Sequence, residues 1–150
     1  MRVLPLLILL AGCGSADEAE APGNAGNAAA APAAPERVPT EAEIADMAAA
    51  ASALRAYYAA IGRGDYRAAW ALREQRPGLG YARFAASFDV YADYHADVGT
   101  PSYPSEADGW VWIDAPVQTW GRRKDGEPFG SVGRVLMKRR SGTADWKIAP

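Results

Sequence analysis

The only histidine of the chain, His95, stands between Asp93 and Asp97 in a stretch where apolar and polar residues alternate. On a β-strand all three would share one face, and a carboxylate beside an imidazole is the raw material of general acid–base chemistry. Side chains two apart on a strand are separated by about 7 Å, too far for a direct hydrogen bond without help from a partner strand. The plainer reading of the trio is a solvated polar face. One histidine among carboxylates lacks the ligand spacing of a metal centre, so no metal and no cofactor is expected. Asp114 is the one acid within an apolar strand. Inside a pocket it would be a proton-transfer group; on the other face it would sit in water beside Trp112. The aromatic residues Tyr58, Trp70, Phe84, Phe88, Trp112 and Trp146 could line a cavity for an apolar or planar ligand, or simply fill a core.

Cys13, the only cysteine, has no partner for an internal disulfide, and its surroundings give it another use. Met1-Arg2 is a basic start, Val3 to Leu10 is an apolar run too short to span a bilayer, and Leu10-Ala11-Gly12-Cys13 follows at once. This tetrad resembles the bacterial lipobox. The resemblance implies a signal peptide over 1–12, cleavage before Cys13, and acyl chains on its thiol and new amino group. Gly14 rather than aspartate follows the cysteine, which by analogy with lipoprotein sorting points to the periplasmic face of the outer membrane. An ordinary signal peptide with an incidental cysteine is the alternative.

The net charge of −2, one unit more negative once Arg2 is cleaved, argues against nucleic acid as a partner. Basic residues do cluster at Arg122-Arg123-Lys124 and Lys138-Arg139-Arg140, where they could meet anionic lipid or polysaccharide, or could keep strand edges from pairing. No nucleophile elbow, phosphate loop or zinc spacing occurs.

The elements that must position these groups begin after residue 39. Residues 13–39 are mostly alanine, glycine, proline, asparagine and acid, with no periodic apolar face, so they read as a disordered tether with a reach on the order of 25–30 Å. The remainder, 40–150, is long enough for one domain. Thr40 and Glu43 have capping-box spacing, and Ile44, Met47, Ala51, Leu54, Tyr58 and Ile61 then draw one stripe along a helix from Glu41 to Ile61, about 31 Å long. Gly62 is placed to end it in a left-handed conformation. Asp65 can cap a second helix, with Tyr66, Ala69, Trp70 and Arg73 on one side, ending at Pro77-Gly78. A third runs from Tyr81 to about Phe88.

From Val90 the period becomes two. Val90, Ala92, Tyr94, Ala96 and Val98 alternate with Tyr91, Asp93, His95 and Asp97; residues 99–109 read as a loop. Trp110 to Arg123 and Phe129 to Arg140 form a hairpin around Asp125-Gly126, and Asp145 to Ala149 makes a final strand. A two-residue turn would leave neither face of the hairpin cleanly apolar. A bulge near Gly130 or Gly133, or a longer loop, would bring Val135 and Met137 onto the face of Val111, Ile113, Ala115 and Val117. Pro116 cannot donate to a ladder, which suggests an edge or a bulge.

Tyr57-Tyr58-Ala59-Ala60-Ile61, Gly64-Asp65-Tyr66-Arg67-Ala68-Ala69-Trp70, Phe84-Ala85-Ala86-Ser87-Phe88 and Trp146-Lys147-Ile148, in this order, resemble segments of the NTF2-like superfamily. The resemblance implies an α+β fold in which three N-terminal helices pack on a curved antiparallel sheet of about four strands, forming a cone. It also implies three functional classes. One is a non-enzymatic domain binding a ligand or protein; another is a small isomerase or hydratase using Asp114 or His95 in the cone; the last is an interaction module that forms a homodimer through the sheet face.

Overall fold

A computed structural model describes residues 37–75, 78 and 80–150. The signal segment 1–12, Cys13 and most of the 13–39 tether lie outside the described residues, as does Pro77.

Helix α1, Glu41–Gly62, starts at the capping box read from sequence: the Thr40 hydroxyl accepts from the Glu43 amide at 3.3 Å, and the Thr40 amide donates to Glu43 Oε2 at 2.8 Å. The Thr40 amide, joined by Arg37 and by the Thr40 hydroxyl donating to Oε2, favours the ionised form and holds the Glu43 carboxyl below its ordinary pKa. The buried stripe differs from the expected one. Ala50, Ala51, Leu54, Tyr57, Ala60 and Ile61 are buried, Met47 and Tyr58 are half-buried, and Ile44 is exposed. Ala50 and Ala60 escaped notice because small residues carry little weight in an apolar pattern, and Tyr57 because the expected stripe took its neighbour Tyr58 at that turn.

The end of α1 also corrects the expectation. Gly62 is not left-handed; Gly64 is, with φ +74°. The Gly64 amide donates to the Ile61 carbonyl and the Asp65 amide to the Ala60 carbonyl, both at 2.9 Å, which is the Schellman arrangement. Gly62 is small for another reason: a Cβ there would lie 2.8 Å from the Tyr94 carbonyl oxygen.

Asp65 caps α2, Tyr66–Ala71, through the Ala68 amide at 3.1 Å. This helix stops well before Pro77-Gly78, because the chain that follows is drawn into the sheet. Leu72 accepts from the Ile148 amide and Glu74 donates to the Ile148 carbonyl, both at 2.9 Å. Arg73 therefore lies on an extended segment. Helix α3 spans Tyr81–Ala86.

The sheet comprises β1 (Tyr91–Val98), β2 (Ser105–Ala107), β3 (Trp110–Arg123), β4 (Pro128–Arg140) and β5 (Lys147–Ile148), all antiparallel, in the order β1-β3-β4-β5 with β2 also on β3. It curls into a half-barrel against the helices. β2 falls inside the stretch read as a loop. Its turn, Asp108-Gly109, has φ +53° and +74°, the pair of left-handed residues that a two-residue type I′ hairpin needs.

In the β3–β4 hairpin, Val111, Ile113, Ala115 and Val117 face Arg139, Met137, Val135 and Gly133. The shift comes from a longer loop: the Arg123 amide donates to the Glu127 carbonyl at 2.8 Å, so Lys124-Asp125-Gly126 turns the chain with Gly126 at φ +90°. Pro116 is neither on an edge strand nor at a bulge. It sits in central β3 where the β1 ladder runs out, its carbonyl accepting from Gly99 at 2.9 Å. The bulge is in β1, between Tyr91 and Asp93, and it rotates Tyr91 towards Phe129 on the inner face while Val90 is left exposed.

Leu54, Ile113 and Met137 are fully buried at the centre of the core, where α1 lies across the inner face of β3 and β4. Asp46 of α1 ties to Arg139 of β4 through paired contacts at 2.8 and 2.7 Å from Nη2 and 3.1 Å from Nε.

Candidate functional site

The β3–β4 register decides what the helices see. Thr119 and Val117 on β3, Ser131, Gly133 and Val135 on β4, and Tyr94 on β1 all fall on the helix-facing side, because they occupy alternate positions in register. Tyr58 reaches down to them from α1, its ring stacked on that of Tyr94 with centroids 6.4 Å apart and planes 5° from parallel. Between these groups lies a cavity of about 240 Å³. Its mouth is at Ser131 and Gly133, which are exposed.

Its polar equipment is hydroxyl groups. Burial pushes the Tyr58 hydroxyl well above the ordinary tyrosine range, reinforced by the neighbouring Tyr94 and Tyr57. Burial also raises Tyr94, opposed in part by Thr119. Burial likewise raises Tyr57, against the opposing pull of Arg73, whose Nη1 donates to the Tyr57 oxygen at 3.2 Å. These phenols stay protonated at any physiological pH, so they offer hydrogen bonds and cannot accept a proton as a base. Arg134 borders the cavity, but its guanidinium is bound to Asp114.

The aromatic residues proposed from sequence divide among three places. Tyr58 lines the cavity. Phe84 is buried core, Trp70 packs on it with centroids 5.1 Å apart, and Phe88 joins Phe84 to Tyr94 at 5.2 and 5.7 Å; Trp146 is buried beneath Arg139. Trp112, Asp114 and His95 are on the other side of the sheet. Asp114 pairs there with Arg134, and Trp112 lies 5.1 Å from the Lys138 ammonium, which also contacts Glu74 at 2.6 Å. Neither Asp114 nor His95 enters the cone, because their even or odd places in β3 and β1 put them opposite the inward residues.

His95 does meet Asp93, with Nε2 3.3 Å from Oδ1, closer than an unaided strand allows. The β1 bulge turns Asp93 back, where it also accepts from the Arg122 amide at 3.2 Å. His95 stacks on Trp120 at 5.8 Å beside a hollow of about 490 Å³ along β1, but its side chain is 57% exposed and that of Asp93 44%. The pair is solvated. Among the described residues no group of three or more His, Cys, Asp or Glu side chains could hold a metal.

The cavity residues Tyr94, Thr119, Ser131 and Gly133 were not singled out from sequence. Thr119 continues the alternation of Ile113, Ala115 and Val117, and that periodicity is the signal that could have found it.

A solved structure from Novosphingobium aromaticivorans, provisionally named an aromatic ring hydroxylase, is similar to this chain at 19% identity and TM-score 0.57, covering 75% of this chain and 87% of its own. An NTF2-like superfamily protein from Salmonella enterica matches at 11% identity and TM-score 0.55, over 70% of this chain and 87% of its own. The chain has the NTF2-like fold. A further NTF2-like structure, provisionally named a dehydratase, from Streptomyces avermitilis, matches at 14% identity and TM-score 0.52, covering 71% of this chain and 96% of its own. No protein-family model matches the chain, and no curated protein matches it in sequence. The structural likeness at such low identities shows the fold alone and leaves the activity to the site's own chemistry.

Proposed function

We propose that the NTF2-like domain binds a small, neutral ring compound without transforming it, and that it does so as a lipid-anchored protein of the bacterial cell envelope. The carrying observation is the inventory of the 240 Å³ cavity: hydroxyls of Tyr58, Tyr94, Thr119 and Ser131 set among Val117, Val135 and aromatic rings. A cavity of about 150 Å³ holds a benzene molecule, so this one has room for a single substituted ring. Hydroxyls that stay protonated can orient a phenol or ring ketone but supply no base. An isomerase or hydratase acting through Asp114 or His95 lacks the geometry, since both face outward. Nothing in the cavity calls for a cofactor.

The anchor belongs to the same proposal and rests on Leu10-Ala11-Gly12-Cys13. Acyl chains on Cys13 would hold the protein at the membrane, each buried methylene contributing about 0.8 kcal/mol. Radiolabelled palmitate is expected to enter the wild-type protein and not Cys13→Ser; equal labelling of both would remove the anchor.

For the binding site the test is calorimetric titration with p-cresol of the full chain, in detergent. Ser131→Phe, which fills the mouth from an exposed position, is expected to abolish binding, and Thr119→Val to weaken it at least tenfold. Unchanged affinity in both variants would move the site elsewhere.

A further inference from the structure

We infer that the outer face of the sheet carries a second ligand site, for an organic acid: a carboxylate on a small, flat, apolar body. The basic run Lys138-Arg139-Arg140 is divided by the alternation of β4. Arg139 turns inward to Asp46, whereas Lys138 and Arg140 share the outer face with Trp110 and Trp112 of β3. Lys147 pairs with Lys138 in the β4–β5 ladder and takes the same face. Beside β5 the extended segment 72–74 brings Glu74 to the Lys138 ammonium at 2.6 Å. A hollow of about 430 Å³ opens between these side chains, Ala71 and the turn that carries Thr143 and Asp145. The chain leaves β5 past Leu136, away from the hollow.

The charges around this hollow do not cancel. Glu74 answers Lys138, and Asp145 answers Lys147 at 3.0 Å, but no carboxylate comes within 4.0 Å of Arg140 among the described residues. The Arg140 guanidinium is instead laid over the Trp110 ring, 4.3 Å from its centroid. Stacking restrains the side chain and leaves the N–H edge of its fork open, the geometry that takes a carboxylate through two parallel bonds. Lys138 is only 8% exposed. Its ammonium has three donors and gives one to Glu74 Oε1; it lies 4.3 and 5.1 Å from the Trp110 and Trp112 ring centroids, with no second oxygen partner among the described residues. A buried ammonium with donors unused, next to a guanidinium without a counter-ion, calls for an acceptor with two oxygens. Arg73 also borders the hollow, but its guanidinium turns to Tyr57 on the inner side.

The rest of the lining sets the body of the ligand. Trp110, the Ala71 methyl and the stems of Lys138 and Lys147 are apolar, and the volume is in the range of small-molecule sites. Cations that merely keep sheet edges from pairing stand in water. Here one is buried and the other is stacked on an indole, at the mouth of a hollow.

The test is a titration of the full chain, in detergent, with benzoate, read by the indole N–H resonance of Trp110 as assigned through Trp110→Phe. Benzoate is expected to shift that resonance saturably. Benzyl alcohol, which keeps the ring, and acetate, which keeps the charge, should each bind at least tenfold more weakly. Arg140→Gln, at an exposed position, should keep the circular dichroism and weaken benzoate at least tenfold, with Arg140→Lys in between. A Trp110 resonance indifferent to benzoate, or an affinity unchanged in Arg140→Gln, overturns the inference. So does acetate or benzyl alcohol binding as tightly as benzoate, the first leaving a bare anion site and the second a bare apolar one. The site is separate from the inner cavity, so Ser131→Phe should leave benzoate binding intact and Arg140→Gln should leave p-cresol binding intact. Benzoate binding lost in Ser131→Phe and kept in Arg140→Gln would place benzoate in the inner cavity and overturn the inference as well.

Discussion

Replacing Asp46 by alanine cuts the tie between the start of α1 and the end of β4, and the structure sets the size of the effect. Arg139 holds Asp46 through Nε and Nη2, with side-chain exposures of 14% and 23%. Hydrogen bonds involving charged groups contribute about 1.5–3 kcal/mol, and breaking a fully buried ion pair costs about 3–5 kcal/mol. The remaining exposure lets water resolvate part of the stranded guanidinium, which brings the expected loss to about 2–3 kcal/mol. At about 4 °C per kcal/mol for a domain of this size, Tm should fall by about 8–12 °C. Arg139→Met keeps an apolar stem over Trp146 and removes the charge, so it should cost less, about 1 kcal/mol. Urea denaturation of both single variants and the double variant closes the cycle, with a coupling of about 1–2 kcal/mol expected. A loss below about 0.5 kcal/mol in Asp46→Ala, or a coupling indistinguishable from zero, would refute the reasoning.

Three further outcomes follow from the buried tyrosines and from the glycines at the end of α1. The folded state raises the pKa of Tyr57, Tyr58 and Tyr94, so it holds their protons more tightly than the unfolded chain. Stability should be fully present below the unfolded tyrosine value of about 10 and fall as pH rises through and beyond it, with Tyr58→Phe flattening that fall; urea midpoints between pH 8 and 11 measure it. Gly62→Ala should destabilise by about 1–3 kcal/mol although alanine is the better helix former, because its Cβ meets the backbone oxygen of Tyr94 at 2.8 Å; a stabilised variant in thermal melts would contradict this. Gly64→Ala has open space around it and should cost about 1 kcal/mol from its left-handed backbone alone, read in the same melts.

The helical half was legible because its signals are local: Thr40 with Glu43, Asp65 with Ala68, and an apolar stripe of the right period. Where tertiary pairing overrides local preference, sequence misled. Arg73 lies on an extended segment because Ile148 bonds the backbone of its neighbours Leu72 and Glu74, and Gly62 serves the approach of Tyr94 while Gly64 makes the turn. The site was half legible. Tyr58 lies against the cavity, whereas Asp114 and His95 alternate with the inward residues of β3 and β1. Which residues of β4 and of the start of β1 join the inner face depends on the length of the loop at Asp125-Gly126 and on the bulge at Ala92. A single residue in either place exchanges inside for outside. Trp112 and Asp114 drew attention as unusual residues in an apolar strand, whereas Thr119 and Ser131 drew none, since only the curled sheet brings them beneath Tyr58.

The most direct measurement for the binding account is a crystal structure of the full chain soaked with p-cresol. The account predicts the ring seated between Tyr58, Val117 and Val135, with its hydroxyl within hydrogen-bond distance of Tyr94, Thr119 or Ser131. An empty cavity with p-cresol held instead on the outer face, against Trp120 and His95 or over Trp110, would contradict it.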